Sequence, residues 1–264
     1  FFFFTCCLSL VEFNRGGTKV YGQNMNNKIN GSSIAALSVL MCMGSISAYI
    51  IYSLVNEKKR EKNESNILEL IQRRRSVFPK QYTSEPVSQA IIDAMLEGAR
   101  WAPTHHLQEP WYFVVFSSAK SRKELGEFLA NDYKNTSTKL GKFSQKKFDK
   151  KLKNAEAASH IIAICVHRTD GSKCPEVEDI CAVSMAVQNM KLIATEHGVG
   201  SYWSSASVHE NKKDRAVKNP ISLKKFLDLP FHSICIGWLF VGNCDAKCFK
   251  KSQRKNISDK VSFR

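Results

Sequence analysis

Two long stretches of the chain repeat their apolar residues with the spacing of one face of an α-helix. The first is Val87–Arg100, and Ser84 followed by Pro86 predicts that this helix begins near them, since proline suits the first helical turn. The second, Pro175–Glu196, has carboxylates at its start, where the helix dipole favours negative charge, and is apolar enough to be central. Further helices are predicted over Ile67–Arg73, over Ser121–Asn131 and along a lysine-rich stretch to Lys153.

Three shorter runs are continuously apolar and rich in β-branched or aromatic residues, a composition typical of buried strands. They are Trp111–Phe116, Ile161–Val166 and Ile234–Val241. Because these runs are interleaved with the helical stretches, the pattern predicts a layered α/β or α+β domain rather than a helical bundle.

The N-terminal part contains a segment of 25 uncharged residues, 31–55, which is long enough to predict a transmembrane anchor helix. A secretory signal peptide or a buried core helix is the alternative. The heavier positive charge that follows predicts a domain on the cytosolic side of the membrane. Around this segment we expect a poorly defined extension over residues 1–30, a charged linker over 56–66, a folded domain over 67–243 and a basic tail over 244–264.

The formal net charge of +15 predicts attraction to anions. Much of the excess lies in the flanking segments, and no strip of alternating basic and aromatic residues is present, so nucleic acid is not an expected partner. The 9 cysteines are too sparse for a disulfide scaffold, and Cys165 and Cys235, in strand-like runs, are expected to be buried thiols. No C-x-x-C pair occurs, and no metal site is predicted.

The common catalytic motifs are missing from the sequence: it has no G-x-S-x-G, no phosphate-binding loop of the Walker type and no H-E-x-x-H. An enzyme without an evident nucleophile or base is one whose cofactor can supply the chemistry. Arg74-Arg75-Ser76 is a candidate anion site, because guanidinium groups match phosphate oxygens and a serine hydroxyl adds a directed hydrogen bond. The alternative interpretation is a solvated basic helix end, and the residues alone favour neither of the two.

Several short motifs, in matching order and spacing, resemble the nitroreductase family, and more closely its compact, single-domain branch. The resemblance covers the chain from Ile67 to Asn243. The motifs are Arg74-Arg75-Ser76-Val77 with Phe78-Pro79, Trp101-Ala102-Pro103-Thr104-His105, Glu109-Pro110-Trp111-Tyr112-Phe113, Ala182 to Met190, Gly198 to Ser205, and Gly237 to Gly242.

The resemblance implies an α+β fold in which a mixed sheet is flanked by helices and two chains form an intertwined homodimer. It also implies one FMN at each of two sites along the dimer interface, where the other subunit can contribute residues. The flavin-binding residues carried over are Arg74, Arg75, Ser76, His105, Glu109, Trp203, Ser204 and Ser205. The stretch that corresponds to a nicotinamide nucleotide site is Ile193, Ala194, Thr195, Glu196, His197 and Gly198.

Three positions depart from the family's pattern. Many members place a basic residue two positions after the serine, near the flavin N1 and C2=O, and here that residue is Phe78. Ala206 stands where a glycine commonly follows the W-x-S segment, and Glu109 stands where glutamine is common. We expect these changes to affect redox potential or substrate preference and to leave phosphate binding in place.

The resemblance implies an oxidoreductase in which FMN carries the chemistry and no side chain acts as the catalytic group. NAD(P)H is the expected electron donor in a ping-pong reaction, and the expected acceptor is a nitroaromatic, a quinone-like compound or an activated alkene. One alternative is a membrane-anchored reductive dehalogenase of the iodotyrosine type, which the predicted anchor favours. The other is a non-catalytic flavin-binding protein.

Overall fold

The structure is a computed structural model that describes residues 46–56, 66–169, 171–206, 209–210, 217–230, 232–250 and 253–264. The chain divides into two compact units, Phe1–Glu61 and Lys62–Arg264. In the first unit the described residues form one helix, α1, over residues 46–56.

The predicted membrane anchor over residues 31–55 is wrong, and the predicted single-pass membrane localisation with a cytosolic domain is wrong with it. Within the described ranges, no helix is long and apolar enough to cross a membrane. The helix α1 covers only the end of the predicted span and rises about 16 Å, whereas the hydrocarbon core of a bilayer is about 30 Å thick. Residues 31–45 lie outside the described residues.

The second unit contains the remaining described helices and strands. The helices are α2 over residues 66–73, α3 Gln89–Arg100, α4 Ala119–Lys139, α5 Gln145–Ala157, α6 Glu176–Glu196 and α7 Ile221–Phe226. The strands are β1 Trp111–Phe116, β2 His160–His167, β3 Val199–Ser205, β4 His209–Glu210, β5 Val217–Lys218 and β6 Ser233–Asn243.

Four of these strands form a sheet in the order β1-β2-β6-β3. Each neighbouring pair is antiparallel, with Phe113 opposite Ile164, Ile161 opposite Phe240 and Trp203 opposite Leu239. The α+β class and the sheet flanked by helices are therefore confirmed. The pairs described within this chain are antiparallel throughout, whereas the resemblance implied a mixed sheet.

Side chains on the two faces of the sheet pack into two separate cores. In β2, Ile162, Ile164 and Val166 face a core built with α3 and α6, while Ile161 and Ala163 face a core built with α4, α5 and α7. This division follows from the alternation of side chains along a strand. It puts the long apolar helix α6 on one face of the sheet, where Val183, Val187 and Met190 are fully buried.

The three predicted strands are confirmed, and helix α6 has the predicted bounds, with carboxylates in its first turn and Gly198 beyond its end at a φ of 69°. The predicted start of the helix near Ser84 is wrong, because α3 begins at Gln89. The preceding residues are held in an extended conformation, since the Val87 N–H donates to the Ser159 hydroxyl and the Asn243 amide donates to the Pro86 carbonyl.

Candidate functional site

Arg74 and Arg75 leave the end of α2 and lie against the edge of the sheet. The segment is fixed at Val77, which is buried and whose N–H donates to the Ser201 carbonyl of β3 at 3.0 Å. The Arg75 Nε donates to the Lys250 carbonyl at 2.5 Å, and its Nη1 donates to the Arg74 carbonyl at 2.6 Å. The basic segment is thereby joined both to β3 and to the chain after β6, and Ser76 stays exposed beside it.

Lys191 on α6 adds a further cation to this region. Its side chain is only 8% exposed, and burial, followed by the charge of Arg74, lowers its pKa to about 8. Arg74 is half-buried, and its own pKa is lowered by burial and then by the charges of Arg75 and Arg254. Among the described residues no carboxylate forms an ion pair with Lys191 or Arg74. Cations crowded in this way define a place where an anion is stabilised.

Phe78, the residue that replaces the family's basic residue, lies away from this cluster. Its ring contacts the ring of Tyr202, with centroids 4.6 Å apart. The two rings line a surface cavity of about 630 Å³ together with lysines of α5. Tyr202 packs on the face of the sheet that carries α4 and α5, so Phe78 belongs to the face opposite α6.

His105 and Glu109 lie in a turn with an uncommon backbone. His106, Leu107 and Glu109 all have positive φ, between 47° and 53°, a region that non-glycine residues rarely occupy and that often marks functional segments. The His105 Nδ1 lies 3.1 Å from the Glu178 carboxylate at the start of α6, and the Glu109 N–H donates to the Thr104 hydroxyl at 3.2 Å. Both predicted side chains are exposed.

The turn and the basic cluster act on opposite parts of α6. The His105 Nδ1 lies 3.1 Å from the Glu178 carboxylate, and the charge of Arg74 acts on Lys191, 13 residues further along. With a rise of about 1.5 Å per residue, these points are about 20 Å apart. A single chain therefore does not bring His105 together with Arg74.

Trp203, Ser204 and Ser205 lie on β3, the edge strand of the described sheet. Trp203 is half-buried and packs against the core that contains α3 and α6, Ser204 is half-buried, and Ser205 is exposed. Trp203 occupies the space beside Gly237 in β6, where an added Cβ would lie 2.0 Å from the indole Nε1. The absence of a side chain at Gly237 therefore creates the space for the Trp203 ring.

The predicted nicotinamide stretch forms the end of α6, and its members have two different environments. Ile193 packs against Gly98 of α3, and Ala194 and Thr195 are buried, with the Thr195 hydroxyl donating to the Lys191 carbonyl at 2.8 Å. Glu196, His197 and Gly198 are exposed. The first three residues thus have a packing role, and only the last three are accessible to a ligand.

Lys191 is the residue that the sequence analysis missed. Its signal was present: Lys191 follows Val187 by four residues and precedes Thr195 by four, so it lies on the helix face that is otherwise buried. A charged residue at such a position indicates either a buried partner or a ligand.

Comparison with known proteins agrees with this fold. The model of the nitroreductase family matches residues 71–243. A Bacillus subtilis protein named as the NAD(P)H nitroreductase YfhC is 30% identical over 149 residues, which cover 56% of this chain and 74% of that protein. A protein of Archaeoglobus fulgidus, named as an NADH dehydrogenase or NAD(P)H nitroreductase, is 25% identical over 195 residues, 74% of this chain and 95% of the relative.

Solved structures share the same fold. A nitroreductase-like protein from Bacillus cereus superimposes with a TM-score of 0.58 at 24% identity, over 75% of this chain and 95% of its own. The FMN-dependent nitroreductase NfnB from Mycobacterium smegmatis, solved with NADPH, gives a TM-score of 0.55 at 16% identity, over 76% and 99% of the two chains. A Desulfovibrio desulfuricans protein named as a nitroreductase and solved with FMN gives 0.52 at 22% identity, over 75% and 96%.

The α+β domain and its relatives named as NAD(P)H nitroreductases identify the class of the protein as an oxidoreductase. The chain belongs to the nitroreductase family, whose model matches well over half of it.

Proposed function

We propose that the protein binds FMN and uses NAD(P)H to reduce a small-molecule acceptor, with both substrates using one pocket in turn. Arg74, Arg75 and Ser76 hold the flavin phosphate. The observation that carries the proposal is the crowding of half-buried Arg74 with Arg75 and Lys191, with no carboxylate among the described residues in an ion pair with Arg74. A phosphate monoester, which carries nearly two negative charges at neutral pH, fits such a cluster.

Bound FMN supplies the reversible two-electron chemistry that links oxidation of NAD(P)H to reduction of the acceptor. The chain's own residues provide binding and orientation. Arg74 supplies a guanidinium fork to the anion, and Ser76, exposed beside it, supplies a hydroxyl. The hydrogen bonds of Arg75 to the Lys250 and Arg74 carbonyls hold the segment rigid, so the anion meets donors that are already in place.

We propose further that the active form is a homodimer in which His105 and Glu109 reach the flavin held by Arg74 of the other subunit. The separation of about 20 Å along α6 supports this arrangement, because the phosphate-binding cluster and the turn side chains lie at opposite parts of the helix. Exposed apolar side chains near this turn, Trp101, Leu107, Val177 and Met185, support burial of this surface by a second chain.

The nicotinamide nucleotide is proposed to bind beside the end of α6. Glu196, His197 and Gly198 are the accessible members of the predicted stretch, while Ile193, Ala194 and Thr195 serve to fix the helix end. The dehalogenase alternative depended on the membrane anchor, and it loses that support because no spanning helix is found in the described residues.

An absorbance spectrum of the purified protein tests the proposal. The holoprotein should show the two visible bands of oxidised flavin and release FMN, not FAD, on denaturation. Addition of NADPH or NADH without oxygen should bleach the visible bands of the oxidised flavin, and an acceptor should restore them. A folded protein that stays colourless after incubation with FMN contradicts the proposal.

A further inference from the structure

Lys191 is a buried cation on the apolar face of the central helix. It is 8% exposed, and its neighbours at helical spacing, Val187, Ala194 and Thr195, are all buried. Removing an ammonium group from water is unfavourable unless an opposite charge compensates it. A leucine or methionine would fill the same position without this cost, so the lysine is not explained by packing.

The neighbouring charge that acts on Lys191 is also positive. It belongs to Arg74, in the segment between α2 and the sheet, and the charges of Arg75 and Arg254 act on Arg74 in turn. No described carboxylate forms an ion pair with Lys191. Both the burial and the neighbouring charge therefore destabilise the ammonium in the ligand-free protein, and an anion bound between Lys191 and Arg74 reverses both effects.

Arg75 is less available to an anion than its position in the sequence suggests. Its Nε and one terminal nitrogen already donate to the Lys250 and Arg74 carbonyls, which leaves the other terminal nitrogen and part of Nη1 for a ligand. Among the described residues, the Arg74 guanidinium and the Lys191 ammonium donate no hydrogen bond to a protein carbonyl of the kind that occupies Arg75, so more of their donors are available. Their charges match those of a phosphate monoester dianion.

We propose that Lys191 is a direct contact of the FMN phosphate, which it binds together with Arg74. This inference rests on the proposed function and assigns to the central helix a ligand-binding side chain outside the motif Arg74-Arg75-Ser76. Lys191 thereby couples the phosphate to α6, the helix that also meets the His105 turn at its other end.

The test compares FMN with riboflavin, which has the same ring and ribityl chain and lacks the phosphate. Dissociation constants of both ligands are measured by flavin fluorescence for the wild type, K191M and the control K151M. Lys151 on α5 is a suitable control, since it is half-buried and its pKa is also lowered by burial. It lies over the Tyr133 ring and takes no part in the basic cluster. Methionine keeps the length and the apolar stem of lysine.

The expected result is that K191M weakens FMN binding about 10-fold to 100-fold, the size of one charge-assisted hydrogen bond. Riboflavin binding should be unchanged, so the dissociation constant of riboflavin divided by that of FMN falls by the same factor. K151M should behave as wild type. The rate of FMN loss from diluted holoprotein, which needs no apoprotein, should rise in K191M alone.

Two outcomes overturn the inference while the proposed function stands. In the first, wild type and K191M hold FMN equally. In the second, FMN and riboflavin are weakened alike, which places Lys191 at the isoalloxazine ring, where Phe78 lacks the family's cation. If the wild-type protein binds neither riboflavin nor FMN, the proposed function itself is contradicted. The wild-type measurement therefore separates this outcome from the two that concern Lys191 alone.

Discussion

At Lys191 the folded chain keeps an ammonium group in surroundings that favour the neutral amine. Its folded-state pKa of about 8 is well below the ordinary value of 10.5, first because of burial and then because of Arg74. Below pH 8 the lysine is protonated in both folded and unfolded chains, and the full cost of burying the charge applies. Between pH 8 and 10.5 the unfolded chain binds more protons than the folded chain, so stability rises with pH in this window.

For flavin-free protein, K191M is therefore expected to be more stable than wild type at pH 7, by up to about 3 kcal/mol, since one pKa unit corresponds to about 1.4 kcal/mol. The difference should shrink as the pH rises from 8 towards 10.5. Urea unfolding of both proteins across this range measures it, with the exposed lysine variant K80M as control. A K191M protein that is less stable than wild type at every pH would show that the lysine serves packing instead.

The residues of the candidate site differ in whether the sequence alone could predict their roles. The motif Arg74-Arg75-Ser76 was located from its resemblance, because a local motif is visible in the sequence alone. The proposed role of Lys191 depends on its burial within range of the Arg74 charge, an interaction across more than 100 residues that no local pattern contains. The contact between Phe78 and Tyr202 is equally non-local, since it requires the pairing of Val77 with Ser201.

Elements with a strong hydrophobic period were predicted well, and those fixed by tertiary hydrogen bonds were not. The helix α6 and the strands β1, β2 and β6 have the predicted positions because each buries one or both faces. The edge strand β3 is rich in serine and glycine and is not among the three strands predicted from the sequence, yet it pairs with β6 from Val199 to Ser205. The lysine-rich stretch was predicted as helical, and Gly141, with a φ of 64°, separates it into α4 and α5.

The close contact between β3 and β6 makes Gly237 a sensitive position. In G237A the new methyl group would lie 2.0 Å from the Trp203 Nε1 and 2.9 Å from the Ser204 carbonyl oxygen, so both the ring and the backbone of β3 must move. We expect a loss of about 1 to 3 kcal/mol in the free energy of unfolding, the usual cost of overpacking, and weaker FMN retention because Trp203 is displaced.

The matched control is G98A in α3. There the added methyl group meets mainly the Cδ1 atom of Ile193, the far end of a flexible side chain, and alanine favours a helix over glycine by about 0.5 to 1 kcal/mol. G98A should therefore be close to wild type in both denaturant unfolding and FMN retention. Equal losses in the two variants would show that the contact between Gly237 and Trp203 has no special importance.

At the scale of the whole molecule, the two groups of predicted flavin-binding residues lie at opposite ends of α6. The basic cluster is at Lys191 and the turn is at Glu178, and this separation fits the proposed homodimer, in which the groups that contact one flavin come from different subunits. The sequence implies this arrangement only through the family resemblance. The separation along α6 supports the proposal from interactions within one chain.

Mixing two defective variants tests this arrangement directly. One variant is R74A, which lacks the phosphate contact, and the other is the double variant H105A/E109A, which lacks the turn side chains; each alone should have little activity at limiting FMN. In a mixed dimer with sites shared between subunits, one site carries both defects and the other carries none. Random reassociation of equal amounts makes about half of the dimers mixed, so NAD(P)H oxidation should recover to about a quarter of the wild-type rate. If each site is built from a single chain, every site in the mixture keeps a defect, and the activity stays at the average of the two variants.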